Sequence, residues 1–286
     1  MSNQNLSLKT NQTGQNQMAH HFLVVSIWHF WASLAEALNP RLRNLPLALV
    51  ENLNEQARIV DCNVLASNLG IRKNQSLNAA LRKTPRLVVK TLSENHQVGF
   101  VKTFQKLAKK WGEPLKIQDH EVLLRIPATT VIQRAAKFLK VQTDCWLELE
   151  CKIKAGFGST PILAKLAMLT LKQPGFKYLS VSDQEHLKMI PLQLLPGLGW
   201  RTGAVLKRYG VNNVSDFLTT PADQVYAWLG KNGLRLQYQI NRGFLTTPNP
   251  VENFQKNSDF KSRLNLKLNQ LKNSLHPNWL SPNETF

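Results

Sequence analysis

Apolar residues come in short runs along this chain. Phe22 to Ile27 (FLVVSI) has strand length, and Trp31 to Leu38 follows with helical spacing. Asn39-Pro40 stops that helix, because proline disfavours helix in the residue before it. Pro46 to Val50 and Ala57 to Cys62 are two more short runs, followed by a helix near Ser76 to Arg82 that ends at Thr84-Pro85. Leu87 to Thr91 reads as a strand. Val98 to Trp111 reads as a helix with Val98, Val101, Phe104, Ala108 and Trp111 on one face. Glu121 to Ile126 is expected as a strand and Thr130 to Val141 as a helix.

From Cys145 to Phe157 (CWLELECKIKAGF) apolar and polar residues alternate, which predicts one long half-buried strand. Thr160-Pro161 supplies an N-cap and a first-turn proline for a helix reaching Lys172. Helices on one side of a largely antiparallel sheet make this part α+β. From Ser182 onward strand patterns disappear. Helical patches at Asp183 to Ile190, Arg201 to Tyr209, Asn213 to Leu218 and Pro221 to Leu229 are separated by Gly and Pro, with Thr220, Pro221 and Asp223 forming a helix start.

Charge narrows the function classes. The 286 residues carry 36 Lys and Arg against 18 Asp and Glu, a formal +18, so polyanions are the expected partners and nucleic acid the first of them. Arg82 to Lys110 holds eight basic residues against Glu94 alone, either a solvated face or one turned to nucleic acid. No apolar run reaches 18 residues, and the first 20 residues have no apolar core of a secretory signal, so no membrane association is expected. Cys62, Cys145 and Cys151 form no CxxC and are expected as reduced thiols in a cytoplasmic protein.

One local motif carries chemistry. Leu195 to Ala204 (LPGLGWRTGA) lies between two helical patches and resembles the helix-hairpin-helix consensus. Glycines let the backbone turn tightly and approach another surface, and the second helix begins with free N–H groups at its positive end. Such a constellation holds a phosphate without reading a base. The residues expected at a DNA backbone are Gly197, Leu198, Gly199, Arg201, Thr202, Lys207 and Arg208. A plain glycine turn between helices is the alternative.

Four stretches in order resemble the Y-family translesion DNA polymerases (the UmuC/DinB superfamily). They are FLVVSIWHFWASLAEALNPRLRNLPLALV, IVDCNVLASNLGIRKNQSLNAALRKTPRL, AGFGSTPILAKLAMLTLKQPG and LPGLGWRTGAVLKRYGVNNVSDF. The resemblance implies a right-hand layout: a leader at 1–20, a mixed-sheet palm at 21–34 and 86–188, small fingers at 35–85, an all-helical thumb at 189–244, and a linker and tail at 245–286. Arg263 to Leu268 (RLNLKL) looks like the first strand of the family's little-finger domain, which is therefore expected to be absent or only begun.

The family's metal-holding carboxylates match Ser26 and Trp28 on the first strand and Gln118 and Asp119 before a later one. Its triphosphate-binding residues match Val64, Ser67 and Pro161. Asp119 is the one acid among these positions. On this basis the chain is expected to bind no metal or other cofactor and not to be an enzyme. It is similar in this to the ImuB branch, polymerase-shaped accessory proteins of induced mutagenesis (the SOS response). The implied partners are DNA, a RecA-like ImuA-type protein and an error-prone replicative-type polymerase, at the bacterial nucleoid. A sliding-clamp peptide has only a poor match at Gln4 to Leu8. Two other readings stand beside this one: a helix-hairpin-helix DNA-binding protein unrelated to translesion synthesis, and a divergent active Y-family polymerase.

Overall fold

A computed structural model of the protein describes residues 20–54, 56–91 and 94–242; the expected leader, linker and tail, with Gln4 to Leu8 and Arg263 to Leu268, lie outside them. Strand β1 (His20–Ile27) leads into α1 (Phe30–Leu38), a 3-10 turn at Pro40–Asn44, β2 (Leu47–Val50) and β3 (Ile59–Cys62). Two short helices follow, α2 (Val64–Asn68) and α3 (Leu77–Lys83), then β4 (Val88–Thr91) and the long α4 (Glu94–Trp111). Next come β5 (Glu113–Ile117), β6 (Glu121–Pro127), α5 (Val131–Leu149), β7 (Ile153–Gly158), α6 (Pro161–Leu169) and β8 (Gly175–Leu179). The rest is helical: α7 (Gln184–Lys188), a 3-10 turn at Leu192–Leu194, α8 (Trp200–Arg208), α9 (Val214–Thr219) and α10 (Ala222–Arg242).

The strands form two sheets, one of five in the order β5-β6-β1-β7-β8 and one of three in the order β3-β2-β4. The first is antiparallel except between β7 and β8, and the second pairs β2 in parallel with β4, so the α+β expectation holds with mixed sheets. Strand β1 sits at the centre because alternation along it serves both faces. Leu23, Val25 and Ile27 point into a core shared with Phe104 and Trp111 of α4 and with Val141 and Cys145 of α5. Each such side chain contributes about 1.5–3 kcal/mol on burial. Val24 points the other way, against Ala164 and Met168 of α6. Helices therefore cover both faces, not one as expected from the pattern. The device is glycine. A Cβ on Gly156 would lie 2.0 Å from the Ala164 carbonyl oxygen, and one on Gly158 2.3 Å from the Ala164 nitrogen, so α6 rests directly on the β7 backbone.

The predicted strand from Cys145 to Phe157 is wrong in its first half. Cys145 to Leu149 is the last turn of α5, and β7 starts only at Ile153. Alternation is compatible with a helix here because Val141, Cys145 and Leu149 also recur every fourth residue and are the buried ones. Leu147, in phase with the strand reading, is 74% exposed. Thr130 starts α5 with a capping box to Gln133, and Glu150, at φ 51°, ends it by turning the chain into β7. Thr160 caps α6 by accepting from the Leu163 amide at 3.2 Å, as expected.

The small sheet is tied to α1 at one carboxylate. Asp61 of β3 accepts from the backbone N–H groups of Trp31 (3.0 Å) and Ala32 (3.2 Å), which begin α1, and lies 3.2 Å from His29 Nδ1. In the thumb-like part, α10 runs past the predicted end at Leu229 to Arg242, with a kink at Gly230 (φ 62°). Helix α10 starts directly after Thr220-Pro221, as expected. The Thr220 hydroxyl donates to the Asp216 carbonyl at 2.7 Å, and the capping box falls one helix earlier, between Asn213 and Asp216.

Candidate nucleic-acid interface

The first group of expected site residues lies at one end of the five-stranded sheet. Ser26 faces Glu121 of β6 on one side and Lys154 of β7 on the other. Glu121 and Lys165 of α6 form an ion pair, and the Lys154 ammonium donates to the Leu171 carbonyl at 2.8 Å. Burial lowers the affinity of Lys154 for its proton. Trp28 has turned off the strand end, its N–H donating to the Lys152 carbonyl at 2.9 Å. Gln118 and Asp119 lie in the turn before β6. The Gln118 amide donates to the Glu121 carbonyl at 2.8 Å, and Gln97 Nε2 donates to Asp119 Oδ2 at 3.4 Å.

A pair of divalent cations needs several carboxylates at once. The matched positions provide a hydroxyl, an indole, an amide and the one carboxylate of Asp119, while Glu121 is engaged by Lys165. Among the described residues no cluster of three or more His, Cys, Asp or Glu could hold a metal ion. This donor set does not fit a two-cation clamp, and no step is derived through one.

The second group is divided by the fold. Val64 and Trp28 both line a cleft of 940 Å³ between α1, the start of α2, the C-terminal turn of α5 and Gln173-Pro174 before β8. Ser67 does not line it; its carbonyl and hydroxyl accept from the guanidinium of Arg72. Pro161 is buried as the first residue of α6 and does not reach the cleft.

The third group, the hairpin, is built as expected at its tip. Leu195 and Leu198 are buried in the core of the helical part, 1% and 4% exposed, and pin the loop from below. The Leu198 side chain therefore anchors the loop, and the residue lines the cleft behind the tip. Gly197 sits at φ 86°, a conformation that a side chain would strain. Gly199 is the N-cap of α8 with no side-chain cap, and a Cβ there would meet nothing within 4 Å. The amides of the first helical turn, including that of Thr202, thus stand at a positive helix end that no side chain caps. Lys207 and Arg208 lie in the last turn of α8, about 10 Å along the axis at 1.5 Å per residue, so they do not join the tip. They complement the negative end of their own helix. Sequence reasoning missed the opposite wall: Gly197, Arg201 and Thr202 share a cleft of 460 Å³ with Trp228, Asn232 and Gly233 of α10. The Gly230-Lys231-Asn232-Gly233 stretch, read as the end of a helix, was the available signal.

A five-stranded sheet with helices on both faces, a small second sheet and a helical part presenting a glycine hairpin define a right-hand, polymerase-like fold. Residues 25–169, half of the chain, match the impB/mucB/samB family, and the chain belongs to that family. It is similar to the DNA polymerase IV of Glaesserella parasuis serovar 5 (strain SH0165), 24% identical over 211 residues, 72% of this chain and 59% of that protein. It is also similar to the DNA polymerase IV of Vibrio cholerae serotype O1 (strain ATCC 39541), 28% identical over 182 residues, 59% of this chain and 48% of that protein. The chain thus spans about half to three fifths of the length of these relatives. Among solved structures, a Dbh ternary complex matches with a TM-score of 0.67 and 18% identity, over 77% of this chain and 66% of that one. DinB from Sulfolobus solfataricus matches with a TM-score of 0.64 over the same shares. The Y-family fold is thereby established.

The expectation that the chain is not an enzyme does not stand. The relatives are named as polymerases, which are enzymes, and the residues at Ser26, Trp28, Gln118 and Asp119 speak only for those four positions. No helix among the described residues is long and apolar enough to cross a membrane.

Proposed function

We propose that the chain acts in translesion DNA synthesis by gripping duplex DNA through its backbone, with the α8 hairpin as one contact. The carrying observation is the open, uncapped N-terminus of α8 behind Gly197 and Gly199. The Y-family fold and the net charge of +18 support the reading. Backbone amides aimed at phosphates carry no base code, so binding is independent of sequence. The RecA-like and replicative-type polymerase partners implied by the resemblance belong to this proposal, and co-precipitation with those purified proteins tests them.

The principal test is fluorescence anisotropy with a labelled primer–template duplex across a salt series. Two unrelated sequences should bind equally, and log affinity should fall linearly with log salt, by about 0.9 per phosphate neutralised. Affinity that ignores salt, or that follows sequence, would refute the reading.

A further inference from the structure

Helix α5 is apolar on two sides. Its inner side packs Val141, Cys145 and Leu149 into the palm core. On the other side Ile132 and Leu139 stand seven residues apart on one line, 82% and 62% exposed, with Trp146 seven residues further along, half-exposed where the ridge meets the 940 Å³ cleft. The helix packs chiefly on α4, β7 and β8. Large apolar side chains in line on the solvent side of one helix are unlike the scattered apolar residues of an ordinary surface.

The rim of the ridge is cationic. Lys140 and the half-buried Lys137 stand on α5, and neighbouring α4 presents Lys102, Lys106 and Lys109 to solvent. Burial, and after it the nearby Lys140, lower the proton affinity of Lys137, an effect that the Asp144 carboxylate partly offsets. Of the acids at this end, Asp144 accepts from Trp111 Nε1 and Glu150 pairs with Arg43, while Glu148 marks the C-terminal limit of the ridge. Helices α4 and α5 lie on the sheet face opposite α6, so this surface is separate from the α8 hairpin.

We propose that the α5 ridge docks an acidic amphipathic helix of a partner protein, whose apolar residues meet Ile132 and Leu139 and whose carboxylates meet the lysines. Charge complementarity selects this occupant. The chain's own residues 1–19 carry Lys9 as their one charged side chain, and residues 243–286 carry five basic against three acidic ones, so neither complements the rim. A second copy brings another +18. Nucleic acid matches the lysines but offers the ridge no apolar face.

The test uses the full chain and three labelled synthetic peptides of three heptads each. One has leucine at a and d and glutamate at e and g. The second replaces the glutamates by lysine, and the third replaces the leucines by serine. The first should bind and the other two should not. The I132E/L139E double variant and, separately, K106E/K140E should each weaken that binding at least tenfold with unchanged melting curves; all four residues are exposed, and the two variants remove different halves of the interaction. Equal binding of all three peptides, no binding of the first, or indifference to both variants would overturn the proposal. So would a dimer in sedimentation that I132E/L139E dissolves, or loss of duplex affinity in that variant, since a second copy or nucleic acid would then own the face.

Discussion

Two pairs of glycines do opposite work in this molecule. Gly156 and Gly158 in the palm are buried under α6, where any Cβ would collide with helix backbone. Gly197 and Gly199 at the hairpin tip face space in which a Cβ meets little or nothing. The first pair lets two elements of the same chain touch; the second keeps a surface clear for something outside it. Glycine spacing alone does not separate these uses, but the atom that a side chain would strike does.

Substitutions should split along that line. Gly156→Val carries the largest expected effect, because the obstructing atoms are the Ala164 carbonyl and the Met168 amide, which cannot move without unfolding α6. A loss of about 3 kcal/mol or more in urea-melt stability is expected, and a near-native melt would break the comparison. Gly199→Val should leave the melt within about 1 kcal/mol and weaken duplex binding about tenfold, or about 1.4 kcal/mol. If it unfolds the chain and spares binding, the two regions have been assigned the wrong way round. Asp61→Ala sharpens the contrast from within the fold, since it strips a carboxylate from the amides that begin α1. About 1–2 kcal/mol of stability should go, read by the same melt.

The smallest effect is a pH dependence in the palm. Burial and the Arg134 guanidinium hold His21 below its ordinary value of 6.5. As pH falls through that value the unfolded chain takes up a proton that the folded chain resists, so stability declines below about pH 6.5. His21→Gln should flatten that part of the pH–stability curve. If the slope survives unchanged, another group is responsible.

Much of the fold was legible in the sequence. Strands β1, β3, β4 and β6, helices α1, α4 and α6, and the hairpin all follow from short apolar runs bounded by Pro, Gly or a capping threonine. What failed did so for identifiable reasons. Strand β5 is an exposed edge strand, so Glu113 to Ile117 shows no alternation to read. Strand β8 contains the small segment Gly175 to Leu179, with Lys177 in its middle. The Cys145 to Leu149 turn satisfies strand and helix periods at once, and only the left-handed Glu150 decides between them. At the candidate site the hairpin tip was readable because its glycines have a local cause. Its facing wall on α10 was not, because the kink at Gly230 brings Asn232 and Gly233 opposite Arg201 only through tertiary packing. Lys207 and Arg208 lie on the helix behind the tip, as expected, in its last turn.

Asp61 links regions that the right-hand layout names separately. Its carboxylate belongs to the small sheet, yet the amides it receives start the helix that leaves the central strand immediately after Ser26 and Trp28. The small sheet and that helix consequently share one anchor, and the helix in turn supplies Ala32, Ser33 and Glu36 to the lining of the 940 Å³ cleft.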